Sequence, residues 1–255
     1  MQIILSPAKT MAAGPNQGLG PDRWPKDPGL DIPEFDQEAR ALIQALSPMD
    51  TASLKKCFKI SDGLALKTKA LIQGFENARS GPALFLFQGE AFKSLGPQDF
   101  THEALGFANT HLKIFSGLYG VVSPLDRIKP YRLDFNTPLK INGQGLKIFW
   151  KKKLIPWFEA LLEPNEPIVN LASDEYSSIL NSKELKKRMI SFQFREQTEK
   201  KLKNIPVRAK QARGYFARYM IQQRITRPGK MKKIAIEGYA YEERLSSENE
   251  WFFIR

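Results

Sequence analysis

Cysteine and histidine are scarce in this chain of 255 residues, which contains one cysteine, Cys57, and two histidines, His102 and His111. A single cysteine excludes an internal disulfide and a metal site built from several cysteines, as expected in a reducing compartment. Two histidines with no third nitrogen ligand exclude a histidine-rich metal site. Cys57 follows the apolar periodicity between Leu54 and Ile60, so we interpret it as a core residue rather than a redox centre.

Long hydrophobic runs and familiar catalytic motifs are also absent. No apolar run approaches the roughly 18 to 20 residues of a membrane span, and the N-terminal sequence lacks the charged and apolar regions of a signal peptide. We therefore expect a cytoplasmic protein with no membrane partner. There is no Walker loop, no Gly-x-Gly-x-x-Gly after a strand and no His-Glu-x-x-His, so we predict no cofactor. No protein partner is identifiable either.

Negative charge is in the minority, because 27 Asp and Glu face 39 Lys and Arg, giving a net charge of +12 and a pI near 9.7. Basic partners are disfavoured by this balance. Nucleic acid, nucleotides or another anionic surface are favoured, since each phosphate neutralised by Lys or Arg releases condensed counterions. The alternative, on charge alone, is a basic protein that binds nothing specific.

The apolar pattern predicts one compact α/β (mixed α+β) domain over residues 1–255, with a mixed central sheet flanked by helices and a helical subregion at about 33–77. Buried strands are predicted at 2–6, 83–87, 112–115, 167–171, 189–194 and 205–208, with antiparallel strands at 233–241 and 251–254. Helices are predicted at 33–46, 47–58, 61–74, 97–111, 146–162 with an interruption at Pro156, and 210–224. The Gly- and Pro-rich passage 11–32 can hold little regular structure.

The stretch around which the rest of the chain is arranged is 112–135, where an apolar strand breaks into glycines, prolines and charged residues. Its special residues are Gly117, Gly120, Pro124 and Pro130, with Asp126, Arg127, Lys129, Tyr131 and Arg132 between them. Glycine permits unusual backbone angles and proline fixes φ, so this segment has a specified, non-repetitive shape, which usually serves a site. The alternative is a tight turn followed by an exposed basic loop.

Two further polar clusters follow predicted strands. Lys9 comes soon after strand 2–6, and the sequence Ala-Ser-Asp-Glu-Tyr at 172–176 directly follows strand 167–171. Open α/β sheets bind their ligands at the carboxyl ends of the strands, so Lys9 is a candidate anion contact. A solvated loop lysine is the alternative.

The helix predicted at 210–224 is strongly basic and interleaves aromatic residues with its charges. The residues concerned are Lys210, Arg213, Arg218 and Arg224, with Tyr215, Phe216 and Tyr219 between them. Such a mixture suits a phosphate backbone with base or sugar contacts. Because the spacing does not place all four cations on one face, a helix with an aromatic core face and a charged solvent face is the alternative.

Several blocks of residues form a specific combination, in order along the chain: 5–10, 59–62, 87–89, 115–121 with 124–126, 130–133, 170–176, Lys210 with 212–214, and 237–239. In these blocks the chain resembles the YaaA peroxide-stress family of bacteria. The resemblance implies a cytoplasmic protein that limits oxidative damage from hydrogen peroxide, with a compact mixed fold, a positively charged cleft and a helix-hairpin-helix-like element. The chain departs from the family's usual pattern at Glu90, Phe92, 134–136 and Gln211. The change from Gly to Asn136 puts the local turn in question.

Our leading hypothesis is that cations from distant segments converge on one cleft that binds the DNA backbone. These cations are Lys9, Arg127, Arg132, Lys210 and Arg213. Tyr131 and Tyr176 would supply stacking or hydroxyl contacts, Ser173 would belong to the same site, and Gly117 to Gly120 would form a hairpin whose amides meet phosphate oxygens. Phosphate contacts carry no sequence information, so we expect double-stranded or distorted DNA to be recognised by shape.

A second hypothesis is an enzyme, because carboxylates repel phosphate and are a strange choice for merely attracting polyanions. A cluster of Ser6, Lys9, Ser173, Asp174, Glu175 and Tyr176 would hold a nucleotide or modified base. In this hypothesis Glu175 is the general acid/base, and Lys9 or Arg213 stabilises developing negative charge. A third hypothesis is a stress protein that acts through partners or sequesters iron with carboxylates.

Overall fold

A computed structural model describes residues 1–12, 32–199 and 201–255. The helices are α1 (Asp36–Leu46), α2 (Thr51–Phe58), α3 (Asp62–Gln73), α4 (Ala83–Leu86), α5 (Glu90–Leu95), α6 (His102–His111), α7 (Leu146–Leu161), α8 (Asp174–Ser177), α9 (Lys183–Arg188) and α10 (Pro206–Gln222). The strands are β1 (Gln2–Leu5), β2 (Gly81–Pro82), β3 (Leu112–Ser116), β4 (Gly120–Val122), β5 (Arg127–Ile128), β6 (Lys140–Ile141), β7 (Gln144–Gly145), β8 (Ile168–Leu171), β9 (Met189–Gln197), β10 (Leu202–Lys203), β11 (Ala240–Glu242) and β12 (Glu250–Ile254). Short 3-10 helices lie at Pro97–Asp99, Pro228–Lys233 and Glu243–Leu245.

The main sheet orders its strands β11-β12-β9-β8-β1-β3-β4, and β10 pairs with β9. Its centre is parallel, because β1 pairs in parallel with both β3 and β8, and β9 pairs in parallel with β8 and β12. The outer strands β4, β10 and β11 are antiparallel to their neighbours. This arrangement confirms a mixed central sheet flanked by helices in one compact domain.

Strands β1, β3 and β8 are buried along their whole length. Each is an apolar run with at most one or two polar residues, which is typical of parallel strands covered by helices on both faces. The chain winds from β1 to β3 on one side, and then places β8, β9 and β12 successively on the other side of β1. The winding direction therefore reverses between β1 and β8, and such a reversal opens a crevice at the carboxyl ends of the two strands.

Several helix starts follow from local capping. Asp50 accepts a hydrogen bond from the Ser53 N–H at the start of α2, and Thr101 does the same for Ala104 at the start of α6. The predicted helix 47–58 therefore begins only after Asp50, and the predicted helix 97–111 is divided into a 3-10 turn and α6. None of the described helices is both long enough and apolar enough to cross a membrane.

The prediction of a strand at 83–87 is wrong, because Ala83–Leu86 is the helix α4. The Ala83 and Leu84 amides donate to the carbonyl oxygens of Asp126 and Pro124, both at 2.9 Å, so contacts distant in sequence support this turn. The run is buried, as its apolar residues predict. A short apolar run that is buried on all sides does not by itself distinguish a helix from a strand.

Two further predictions need correction. Residues 205–208 are not strand-like, because α10 begins at Pro206, where a proline fits the first turn of a helix. Pro156 does not interrupt α7, which continues to Leu161 with Leu154 and Phe158 buried on either side. The burial of those side chains offsets the missing backbone hydrogen bond, which costs about 3 kcal/mol. The predicted irregular passage 11–32 lies mostly outside the described residues.

Candidate functional site

A cavity of about 750 Å³ lies at the carboxyl ends of β1 and β8. It is lined by residues 5–10 and 88–93, by Leu171, Ser173, Glu175 and Tyr176, and by Lys210 and Arg213. These residues come from the ends of two adjacent strands, from α5 with the turn before it, and from α10. The cavity therefore occupies the crevice at which the winding of the sheet reverses.

Two serines join the ends of β1 and β8 at this crevice. The hydroxyl of Ser6 accepts a hydrogen bond from the Ser173 N–H at 2.8 Å and donates one to the Ser173 hydroxyl at 3.3 Å. Asn170, the penultimate residue of β8, accepts a hydrogen bond from the Ala172 N–H at 2.9 Å and donates one to the Ser191 hydroxyl on β9. These contacts fix the loop that carries Glu175 and Tyr176 relative to the loop that carries Lys9.

Asp134 connects two of the predicted site residues. One of its carboxylate oxygens lies 2.9 Å from the Lys9 ammonium, and the other accepts a hydrogen bond from the Tyr176 hydroxyl at 3.1 Å. Tyr176 is otherwise buried, and burial followed by the charge of Asp134 raises the pKa of its hydroxyl. Tyr176 is therefore a neutral hydrogen-bond donor whose ring packs against Phe115 and Phe135.

Glu175 is half-buried at the cavity wall. Its burial, and next the charge of Asp134, raise the pKa of its carboxyl group above the ordinary value. The Lys9 ammonium and the Asn136 N–H act in the opposite direction but do not cancel the effect. A carboxyl group with these properties can hold a proton closer to neutral pH than an exposed glutamate does.

The opposite wall depends on a close approach between α10 and α5. Gly214 lies so near α5 that a Cβ atom built on it would be 2.1 Å from the Ala91 carbonyl oxygen. Beside this contact the Gln211 side chain donates a hydrogen bond to Glu90 at 2.9 Å. Glu90 and Gln211 are two of the departures from the family's usual pattern, and here they are bonded to each other. The packing brings Lys210 and Arg213 to the cavity.

The cations around the cavity differ in depth. The Lys9 and Lys93 side chains are 63% and 71% exposed, and Lys210 is exposed as well. Arg213 lies deeper: its Nε atom is buried and has no hydrogen-bond partner among the described residues. Burial lowers the pKa of Arg213, and the nearby Asp174, which is itself exposed, partly opposes this. The lining contains four cationic side chains and two carboxylic ones, so the charge of the cavity is positive overall. The cations are Lys9, Lys93, Lys210 and Arg213, and the carboxylic residues are Glu90 and Glu175.

The structure thus brings Lys9, Ser173, Tyr176, Lys210 and Arg213 to one cavity, together with Ser6 and Glu175 of the second hypothesis. It does not bring Arg127 and Arg132 there. Arg132 lines a separate cavity of only about 10 Å³ beside α1 and α3. Arg127 is exposed and lines another cavity, of about 220 Å³, with Arg40 and Lys129. The expected convergence therefore holds for three of the five cations.

The glycines of the 112–135 stretch have a packing role. Gly117, in the turn between β3 and β4, and Gly120, the first residue of β4, are both buried, so their amides do not face solvent; the turn joins two strands and not two helices. A Cβ atom on Gly117 would lie 2.1 Å from the Leu133 carbonyl oxygen, and one on Gly120, where φ is +70°, would meet the ring of Trp150. The hypothesis that these amides meet phosphate oxygens is not compatible with this burial.

Tyr131 is also a core residue. Its hydroxyl lies 2.7 Å from that of Ser116, its ring packs edge-on against Phe87 and Tyr119, and burial raises its pKa. It is therefore placed to stabilise the core beneath the site rather than to stack on a ligand. The turn at Asn136 requires no glycine, because the φ of Asn136 is not positive.

Asp134, Lys93 and the α5 wall were not among the site residues predicted from the sequence. Two features of the sequence could have indicated them: the polar residues that follow the apolar run 83–87, and the acidic residue Asp134 shortly after Tyr131. Their meaning depends on long-range packing, since Lys9 and Asp134 are far apart in the chain. Among residues 1–12, 32–199 and 201–255, no group of three or more His, Cys, Asp or Glu side chains is arranged to hold a metal ion.

Comparison with known proteins gives a match along nearly the whole chain. A family model described as "Peroxide stress protein YaaA" matches residues 1–245. A UPF0246 protein of Desulforapulum autotrophicum is 42% identical over 255 residues, covering 100% of this chain and 99% of the relative. UPF0246 proteins of Rickettsia conorii and Clostridium perfringens are 35% and 37% identical, and each comparison covers 100% of both chains.

Proposed function

This chain belongs to the peroxide stress protein YaaA family, and we propose that it binds the phosphate backbone of DNA in the cavity at the carboxyl ends of β1 and β8. The observation that supports the proposal is the convergence of Lys9, Lys93, Lys210 and Arg213 around one cavity. A folded protein gains little from gathering like charges, because their mutual repulsion is unfavourable. A polyanionic ligand offsets that repulsion, because its negative charges attract each of the cations. The cytoplasm is the expected location.

The exposed lysines at the mouth suit phosphate contacts more than base recognition. A lysine ammonium is a compact point charge on a flexible stem, and it attracts a phosphate without selecting a base. Asp134 forms an ion pair with Lys9 at 2.9 Å, and Glu90 forms one with Lys93 at 3.0 Å. The carboxylates thereby position the cations and limit the net attraction. Binding with little sequence specificity is the expected result.

The test is the affinity for a 20-base-pair duplex measured at a series of salt concentrations. A log–log plot should have a slope of about −0.9 for each phosphate that is neutralised. Lys210→Ala should make the slope shallower by about one such increment. Lys187→Ala is the matched control, because Lys187 is exposed just before β9, at the other end of the sheet, and its loss should leave the slope unchanged. A flat plot for the unaltered protein would rule out the proposal.

A second candidate function is an enzyme that acts on a nucleotide or modified nucleobase. The observation that favours it is the half-buried Glu175 carboxyl group, whose pKa is raised by burial and by Asp134 inside a cavity that also contains Lys9. A carboxyl group of this kind suits general acid/base chemistry. Lys9 or Arg213 would stabilise developing negative charge.

Glu175→Gln separates the two functions. Loss of an acid/base group abolishes turnover of nucleotides or of oligonucleotides that carry oxidised bases, which is measured by mass spectrometry of the products. Backbone binding should tighten or stay level in the same variant, because a negative charge near phosphate is removed. Turnover that survives the substitution would exclude the acid/base role of Glu175.

A further inference from the structure

The cavity is too small for a duplex but large enough for one nucleotide. Its volume of about 750 Å³ lies within the range of pockets that enclose small ligands, about 300–1,000 Å³. A double helix can therefore lie across the mouth, where its phosphates meet Lys9, Lys93 and Lys210, but it cannot enter. A base can reach the interior only if it is unpaired or turned out of the stack.

The chemistry inside the cavity differs from that at its mouth. Buried Leu5, Leu171 and Phe92 contribute apolar wall, while Glu175 and Arg213 contribute polar groups. A nucleobase has the same division, because its faces are apolar and its edge carries hydrogen-bond donors and acceptors. A phosphate would lie beside the Glu175 carboxyl group if it entered, and is better placed at the lysines.

Arg213 supplies the most specific observation. Its Nε atom is buried and lacks an acceptor among the described residues, and a buried donor without a partner is costly. Because the Arg213 side chain also lines the cavity, its guanidinium group is placed to donate to an acceptor that a ligand presents there. The exocyclic oxygens and ring nitrogens of a nucleobase are acceptors of this kind.

Resting on the proposed function, we propose that the cavity takes one unpaired nucleotide, with the base inside, its edge facing Arg213 and Glu175, and the phosphate at the lysines of the mouth. DNA that contains an unpaired nucleotide then binds more tightly than fully paired DNA, because no base pair has to be opened. The same chemistry is offered by a free mononucleotide, and the experiment includes it as a separate arm.

The experiment compares two labelled 20-base-pair duplexes at low salt, one fully paired and one with a single bulged 2-aminopurine nucleotide. We expect about tenfold tighter binding of the bulged duplex and a change in 2-aminopurine fluorescence as the base enters the cavity. Adenosine monophosphate should compete with the bulged base for the cavity and so reduce the fluorescence change. If it also binds alone with the same dependence on Arg213, a free nucleotide is the source of the ligand.

Arg213→Lys tests the role of the guanidinium group, because it keeps the charge and removes the fork of donors. In this variant the ratio of the affinity for the bulged duplex to that for the paired duplex should fall towards one. Arg218→Lys is the matched control on the same helix, where the arginine pairs with Asp99 at 2.9 Å, and the preference should persist. Thermal melts of both variants establish that they fold.

The outcomes separate this inference from the proposed function. Equal affinity for the two duplexes with no fluorescence change overturns the inference and leaves backbone binding intact. Failure of both duplexes to bind at low salt overturns the proposed function. In that case, direct binding of adenosine monophosphate that is lost in Arg213→Lys would still support a nucleotide cavity, and its absence would overturn that as well.

Discussion

The close approach of α10 to α5 gives the sharpest stability prediction. In Gly214→Ala the new Cβ atom would lie 2.1 Å from the Ala91 carbonyl oxygen and 2.7 Å from the Ser94 Cβ atom. An ordinary contact requires at least 3.4 Å, and the Ala91 oxygen belongs to the backbone, so no side-chain rotation can relieve the overlap. The two helices must move apart.

The magnitude follows from two opposing contributions. Overpacking of a buried contact costs typically about 1–3 kcal/mol, and a backbone contact belongs at the upper end. Alanine is favoured over glycine inside a helix by about 1 kcal/mol. We therefore expect Gly214→Ala to lower the free energy of unfolding by about 2 kcal/mol, and the Tm by roughly 4–8 °C for a protein of this size. Affinity for duplex DNA should fall too, because Lys210 and Arg213 move with α10.

Gly106→Ala is the matched control. Gly106 lies inside α6, and nothing is within 4 Å of the position that its Cβ would occupy. Only the helix-propensity contribution remains, so the free energy of unfolding should rise by about 1 kcal/mol. The assay is urea unfolding of both variants beside the unaltered protein. If Gly214→Ala gains stability as Gly106→Ala does, the close approach of the two helices is not real.

Three further predictions concern single side chains. Folding favours protonated Glu175, because burial and Asp134 raise its pKa, so the stability it contributes is complete below its unfolded-state pKa and is lost as the pH rises through its folded-state pKa. Glu175→Gln should therefore raise the urea midpoint near pH 7 and lose that advantage near pH 4; a midpoint that falls at pH 7 would contradict this. Cys57 is half-buried on α2 and not part of the core, where the sequence had predicted it, but this burial raises the pKa of its thiol; iodoacetamide should therefore modify it more slowly in the folded than in the denatured protein, and equal rates at pH 7.5 would refute this. Tyr131→Phe removes a buried hydroxyl 2.7 Å from that of Ser116 and should cost about 1 kcal/mol of unfolding free energy, whereas a neutral outcome would show that this hydrogen bond contributes nothing.

The sequence alone determined the strands at the centre of the sheet and several helices. Residues 2–5, 112–116 and 168–171 are short apolar runs bounded by polar residues, prolines or a helix end, and each contains Ile or Val, whose β-branched side chains favour a strand over a helix. Lys9 and 172–176 were recognisable as site candidates for a local reason, since each follows the carboxyl end of a buried strand. The family could also be recognised from its blocks of residues.

Tertiary structure decided the rest of the site. The apolar run 83–87 could be buried either as a helix or as a strand. Hydrogen bonds from its amides to the carbonyl oxygens of Pro124 and Asp126 stabilise the helix. Arg132 and Arg213 were both predicted to reach one cleft, yet the packing of Gly214 against α5 brings Arg213 to the cavity while Arg132 lines a separate cavity beside α1 and α3. Such choices depend on contacts between residues far apart in the chain, and a pattern of neighbouring residues carries no information about them.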